Sequence, residues 1–148
     1  MQLNNNLKVS FEVEKAYHQA EAIIAYPTRY TYGGGHPGFE PSTPPGSKEP
    51  AGYDCSGFAS AVLHAGNLLG SKIALDTTEF LTWGEEGEGQ LLTLWVRDDN
   101  VQHHCFLEFK KRANPNHTYC EAPHTGENCW WLTKETVTGF KPRHQRNT

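Results

Sequence analysis

The segment Asp54-Cys55-Ser56-Gly57-Phe58 is built to activate a thiol. It opens the stretch DCSGFASAVLHAGNLL (residues 54–69), in which Phe58, Ala59, Val62, Leu63 and the apolar residues after them give the wide apolar face of a buried helix. Asp54 is a good N-cap, which places Cys55 in the first helical turn. The partial positive charge there favours a thiolate. Free backbone N–H groups near the sulfur can hold a developing oxyanion. Gly57 keeps the approach to the turn open, and Gly66 or Gly70 can close the helix. Without a base beside it, Cys55 reads instead as a small buried thiol filling packing space.

The candidate base is His104. His103, His104 and Cys105 open a predicted strand, on which His104, Phe106 and Glu108 share one face and His103, Cys105 and Leu107 the other. The turn chemistry of RANPN then leads into HTYCEA. A hairpin centred there pairs residues whose numbers add to about 225. That register sets His104 opposite Glu121, an arrangement that fixes a tautomer and supports an imidazolium. It also sets Cys105 opposite Cys120 on the core face, where a disulfide is an option and not a requirement. A slip of one residue would break the arrangement. Taken singly, His104 reads as a locally bonded strand histidine and Glu121 as a surface carboxylate. His36 and His124 flank loops that border the expected cleft and are candidates for substrate contact. Trp83, Trp95, Trp130 and Trp131 read as core or groove wall.

These side chains must be positioned by a chain of 148 residues with 36% hydrophobic and 11% aromatic content, enough for one real core. A single domain over residues 1–148 is expected. Val13, Tyr17, Ala20, Ile23 and Ile24 recur at helical spacing and predict a helix over 7–25, ended by Pro27. TRYTYGGG is a short extended piece running into glycines. Residues 38–52, with prolines and little that is apolar, read as an exposed loop or lid. DTTEFLTWG predicts a short helix capped by Asp76 or Thr77 with Glu79 nearby. Strands are predicted at 91–96, 104–109 and 117–122, with one more in 129–140. Helices first, then an antiparallel meander, argue for an α+β fold.

The net charge of −4 and pI near 6.0 argue against a nucleic-acid partner. Lys110-Lys111-Arg112 reads as a solvated hairpin tip. No apolar stretch approaches bilayer-spanning length, and the start lacks a secretory signal, so delivery to an outside substrate would need another agent. Four cysteines are too few for a disulfide scaffold. His103, His104, Cys105, Cys120, His124 and Cys129 are metal-ligand types, but none forms a paired short spacing. Neither metal nor cofactor is expected.

Together these segments resemble the NlpC/P60 family of cell-wall cysteine peptidases, a circularly permuted papain-like group. TRYTYGGG followed by YDCSGF is similar to the family's Tyr-x-x-Gly-Gly … Asp-Cys-Ser-Gly-Phe segment. The resemblance puts Cys55 on the nucleophile, Tyr30 on an active-site tyrosine, and Asp54 and Ser56 on the flanking residues. HHCFLEF puts His104 on the general base, and EAPHTG puts Glu121 on the third, orienting position. TEFLTWGEEGEGQLLTLWV, CWW and GFKPRH resemble a subset from actinobacteria and their phages, often near tail genes. The resemblance covers about residues 13–144. The usual Gly-Asp-Leu segment before the histidine strand is replaced by QLLTLWV, and the Pro-rich insertion lengthens the interval from Tyr30 to Cys55 to 25 residues.

The resemblance implies a papain-like α+β fold with N-terminal helices packed on an antiparallel sheet. It implies amide hydrolysis by acyl transfer, with peptidoglycan stem peptide as substrate and the bond from D-γ-glutamate to diaminopimelate or lysine as the target. Asp54 and Ser56 would engage a free substrate amine; alternatively, Asp54 only caps the helix. A monomer is expected, delivered in a phage particle or by lysis. The alternatives are a papain-like amidase or acyltransferase acting on another amide, and a cell-wall-binding domain without turnover.

Overall fold

The helix that carries Cys55 lies against one face of an antiparallel sheet, and the sheet's own alternation explains why. In this computed structural model, which describes residues 2–148 and side-chain surroundings from residue 6 onward, strands β4 (Leu92–Asp98) and β5 (His103–Phe109) pair with Leu94 opposite Leu107 and Val96 opposite Cys105. Those residues join Phe58, Val62 and Leu63 of helix α2 (Cys55–Ala65) in one apolar core. The alternate residues, Trp95 opposite Phe106 and Arg97 opposite His104, point to the other face.

The long helix α1 (Gln2–Ala25) packs across α2 through Val13, Ala16, Tyr17, Ala20 and Ile23, all buried. Gly66 lets the helices approach, since a Cβ there would strike the Glu12 carbonyl. Burying each large side chain contributes about 1.5–3 kcal/mol. Between the helices run β1 (Arg29–Tyr30) and β2 (Gly52–Tyr53), which pair in parallel with Tyr30 beside Tyr53. Residues 38–52 are the expected loop, folded back by a Ser42–Gly52 bridge and by Thr31 Oγ1 donating to the Pro50 carbonyl at 2.6 Å. The insertion therefore leaves β1 and β2 paired and folds back onto them. The short helix α3 (Thr77–Phe80) is capped by Asp76 in a capping box with Glu79, as its sequence predicts.

The sheet departs from a simple meander. Its order is β3-β8-β4-β5-β6-β7, with β3 at Glu85–Glu86, β6 at Tyr119–Glu121, β7 at Trp130–Leu132 and β8 at Lys141–His144. The last strand crosses back to lie beside β4. Its polar sequence, KPRH, carries no strand signal, and it pairs because β4 offers a free edge.

The β5–β6 register differs from the expected one by two residues: Leu107 faces Cys120 and Glu108 faces Tyr119. A short 3₁₀ turn over Pro115–His117, capped by Asn114, takes up the difference. An even slip preserves faces, so His104 and Glu121 still share one side while Cys105 and Cys120 share the other. All four cysteines are free thiols, and Cys105 and Cys120 are not bonded. Arg112 is not a solvated tip residue. It pairs with both Glu14 oxygens, at 2.7 and 3.1 Å, and lies 3.7 Å over the Tyr17 ring, tying the β5–β6 turn to α1. Among the described residues, no helix is long and apolar enough to cross a membrane.

Candidate active site

The first turn of α2 is shaped by Asp54. Its backbone is extended, its Oδ1 accepts the Gly57 N–H at 2.7 Å, and its carbonyl accepts the Phe58 N–H. The same Oδ1 also receives His36 Nε2 at 2.8 Å and the Ser56 hydroxyl at 3.2 Å. His36 is thus drawn into the cluster, and its bond to the Asp54 carboxylate raises its pKa. A Cβ on Gly57 would collide with the Gly34 carbonyl, so this turn accepts only glycine there.

Cys55 follows the cap and is 9% exposed. Its pKa is drawn down to about 5. The largest contribution is a hydrogen bond from the Cys105 thiol; burial opposes it, and a hydrogen bond and charge from His104 add to it. Cys105, fully buried, keeps its proton because burial and the neighbouring thiolate push its pKa well up.

His104 is also 9% exposed. Its Nε2–H donates to Glu121 Oε1 at 2.6 Å, which leaves Nδ1 as the ring nitrogen for the sulfur. Burial works against the charged ring, but hydrogen bonds to the Cys55 thiolate and the Glu121 carboxylate outweigh it and hold the pKa up at about 9. Glu121 is buried, and its second oxygen accepts the Trp130 indole N–H at 2.9 Å, from the residue directly across in β7. Burial alone would raise the Glu121 pKa; bonds from His104, Glu135 and Trp130 lower it.

Tyr30 arrives through the parallel β1–β2 pair, whose second strand runs straight into Asp54. Burial, then the charges of Cys55 and Asp54, raise its phenol to about 12, so it keeps its proton as an O–H donor.

The structure therefore gathers Cys55, His104, Glu121, Tyr30, Asp54, Ser56 and His36 into one place. Among the described residues, His124 makes no hydrogen bond to that cluster. Its ring bonds the Thr125 carbonyl and meets Trp130 edge-on, and it borders the same cavity of about 390 Å³ that His104 and Glu121 line. A larger cavity of about 560 Å³, between α1 and the end of α2, contains none of these residues. Sequence reasoning missed Cys105, Trp130 and Glu135 as parts of the site. Strand alternation already put Cys105 on the helix-facing side, which was the available signal. Glu135 lies on the loop between β7 and β8, and no sequence pattern marks it.

No protein-family model and no curated protein matches the sequence. Solved structures do. The chain is similar to the resuscitation promoting factor interacting protein RipA mutated at a histidine, with a TM-score of 0.72 and 18% identity over 95% of this chain. A form of RipA mutated at a cysteine gives 0.70 and 18% over 94%. Rv1477, described as a hypothetical invasion protein of Mycobacterium tuberculosis, gives 0.71 and 20% over 96%. The chain spans 64–65% of the length of those chains. The likeness establishes the fold: mixed helix and antiparallel sheet of the NlpC/P60 papain-like type, as the resemblance implied.

Proposed function

We propose that this chain is a cysteine peptidase of the NlpC/P60 type that cleaves a peptidoglycan stem peptide, with Cys55 as nucleophile, His104 as general base and acid, and Glu121 as orienter. The observation that carries the reading is geometric: Cys55 stands in the first turn of α2 behind the Asp54 cap, and His104 is held by Glu121 Oε1 at 2.6 Å, an arrangement that draws the thiol down to about 5 and holds the imidazole up at about 9. Between those values the resting pair is a thiolate and an imidazolium, a nucleophile and its acid ready together.

The chemistry follows from the positions. The Cys55 thiolate attacks the amide carbonyl carbon. The resulting oxyanion is met by the Cys55 backbone N–H at the helix N-terminus and by the Tyr30 hydroxyl. His104 delivers its Nδ1 proton to the departing amine nitrogen, and the C–N bond breaks to leave a thioester. His104 then takes a proton from water, which adds to the thioester. Collapse releases the acid and restores the thiolate. Glu121 holds the ring and balances its charge through the cycle. The cell-wall substrate, and the bond from D-γ-glutamate to diaminopimelate or lysine, rest on the sequence resemblance in DCSGF, HHCFLEF and EAPHTG.

Defined stem peptides incubated with wild type and Cys55→Ala, and read by mass spectrometry, test this. Cleavage at the γ-glutamyl bond by wild type alone is expected. Release at the sugar–peptide link would make the protein an amidase. No product with any stem peptide would remove the peptidase reading.

A further inference from the structure

The cavity of about 390 Å³ beside His104 holds a cation that the reaction above does not use. Arg97 on β4 pairs directly across from His104 on β5, so the two side chains share a face of the sheet, and both line the cavity. The guanidinium is fixed from two sides. Its Nε donates to Asp99 Oδ2 at 2.8 Å. Asp99 is itself held by the turn between β4 and β5, where its Oδ1 accepts the Val101 and Gln102 N–H groups at 2.8 and 3.0 Å. On the other side lies Gly139, where a Cβ would collide with Cζ and Nη1 of Arg97, so the backbone there leaves the guanidinium just enough room. Among the described residues, neither terminal nitrogen of Arg97 has a hydrogen-bond partner. A planar fork held in place with both of its ends unused is suited to a carboxylate.

The position says which part of a substrate brings that carboxylate. Cys55, Tyr30 and Asp54, which meet the acyl group, do not line this cavity; His104 does. In the proposed reaction His104 hands its proton to the departing amine, so the cavity receives the residue on the amine side of the bond. We propose that Arg97 is a specificity-determining residue that binds a carboxylate at the far end of that residue's side chain, and so selects diaminopimelate over lysine. Diaminopimelate ends in a carbon bearing an ammonium and a carboxylate, whereas lysine ends in an ammonium alone. The cavity's other free charge, Glu135, can accept from the ammonium of either, while Glu121 is committed to His104 and Trp130. Discrimination therefore falls on Arg97.

Trp130 lines the cavity and its indole N–H donates to Glu121, so its signal reports occupancy without turnover. Uniformly ¹⁵N-labelled wild-type protein, with the indole signal assigned by Trp130→Phe, is titrated separately with meso-diaminopimelyl-D-alanine, L-lysyl-D-alanine and L-alanyl-D-glutamate. The diaminopimelyl dipeptide is expected to saturate the Trp130 shift at a concentration at least about tenfold lower than the lysyl dipeptide, as a hydrogen-bonded charge pair implies. Arg97→Gln is expected to remove that difference, and Arg97→Lys, with the charge but not the fork, to restore only part of it. The exposed Arg97–Asp99 pair adds little stability, and the dispersion of the amide spectrum checks that both variants are folded.

Equal saturation by the two dipeptides in wild type, a preference that survives in Arg97→Gln, or no Trp130 shift with either would overturn the proposal. A response to L-alanyl-D-glutamate that Arg97→Gln abolishes would assign the arginine to the acyl side and overturn it as well. The inference rests on the peptidase reading for the side that His104 serves, yet the two fail separately. Selective binding without cleavage of any stem peptide sinks the peptidase reading alone, and cleavage without selective binding sinks this one alone.

Discussion

A sulfur 9% exposed becomes a nucleophile only if its charge is supported, and three groups around Cys55 do so in different ways. The Cys105 thiol is the largest support. A hydrogen bond to a charged partner is worth about 1.5–3 kcal/mol, or roughly one to two pH units. Cys105→Ala is therefore expected to raise the pH at which Cys55 becomes alkylatable by that amount, measured as the iodoacetamide rate against pH. An unmoved profile would mean that His104 and the helix N-terminus suffice. Glu121 acts one step further out, by fixing the ring with Nε2 protonated. Glu121→Gln keeps the shape and removes the charge. Cleavage of the stem peptide is expected to fall by roughly 10²–10⁴-fold, in the range seen when the orienting carboxylate of a catalytic histidine is neutralised. Retained activity would assign Glu121 to packing.

At the scale of elements, the decisive unit is the junction of β2 and α2. Tyr53 ends the parallel pair that brings Tyr30 alongside, Asp54 caps the helix, and Cys55 follows with no residue to spare. Because Asp54 serves both as a cap and as the carboxylate on His36, its two roles separate by substitution. Asp54→Asn keeps a good cap and is expected to leave the melting temperature nearly unchanged while the pKa of His36 falls. Asp54→Ala also loses the cap, about 1 kcal/mol. Gly57→Ala forces a methyl against the Gly34 carbonyl, an overpacking expected to cost roughly 1–3 kcal/mol. Thermal melts of the three variants, with an imidazole NMR titration for His36, check these values. The loop over residues 38–52 folds back onto this junction, with Ser42 bridged to Gly52 and the Phe39 carbonyl accepting the Tyr53 hydroxyl at 2.7 Å, which is why a long interval between Tyr30 and Cys55 still leaves Tyr30 paired beside Tyr53.

Over the whole molecule, the thiolate–imidazolium pair links activity and stability to pH. Activity on the stem peptide is expected to rise through about pH 5 as Cys55 ionises and fall through about pH 9 as His104 loses its proton. Unfolding restores the ordinary values of 9.0 for the thiol and 6.5 for the imidazole. His104 is raised by folding, so its stabilisation is complete below 6.5 and is lost as pH climbs through about 9. Cys55 is lowered by folding, so its stabilisation is complete above 9.0 and is lost as pH falls through about 5. Between about 5 and 6.5 the unfolded chain holds one proton more than the folded pair, and the pair's contribution to stability rises with pH. From 6.5 to about 9 the gain from Cys55 and the loss from His104 cancel. Urea unfolding of wild type and Cys55→Ala across that range should show the rise in wild type only. Parallel curves would mean that the sulfur is not ionised in the folded state.

Much of this was legible in the residues themselves. A cap followed by an apolar stripe is a local pattern, so Asp54, Cys55 and α2 could be read directly. Strand alternation has a period of two, so the faces of His104, Cys105 and Glu121 came out correctly even though the expected register was two residues off. What alternation cannot supply is lateral position. The return of β8 to β4, the effect of Cys105 on the nucleophile and the arrival of Glu135 in the cavity lined by His104 and Glu121 depend on hydrogen bonding and packing between segments far apart in the chain. Those contacts have no periodic trace in sequence, because the energy that selects them arises only when the sheet and helices close around one core.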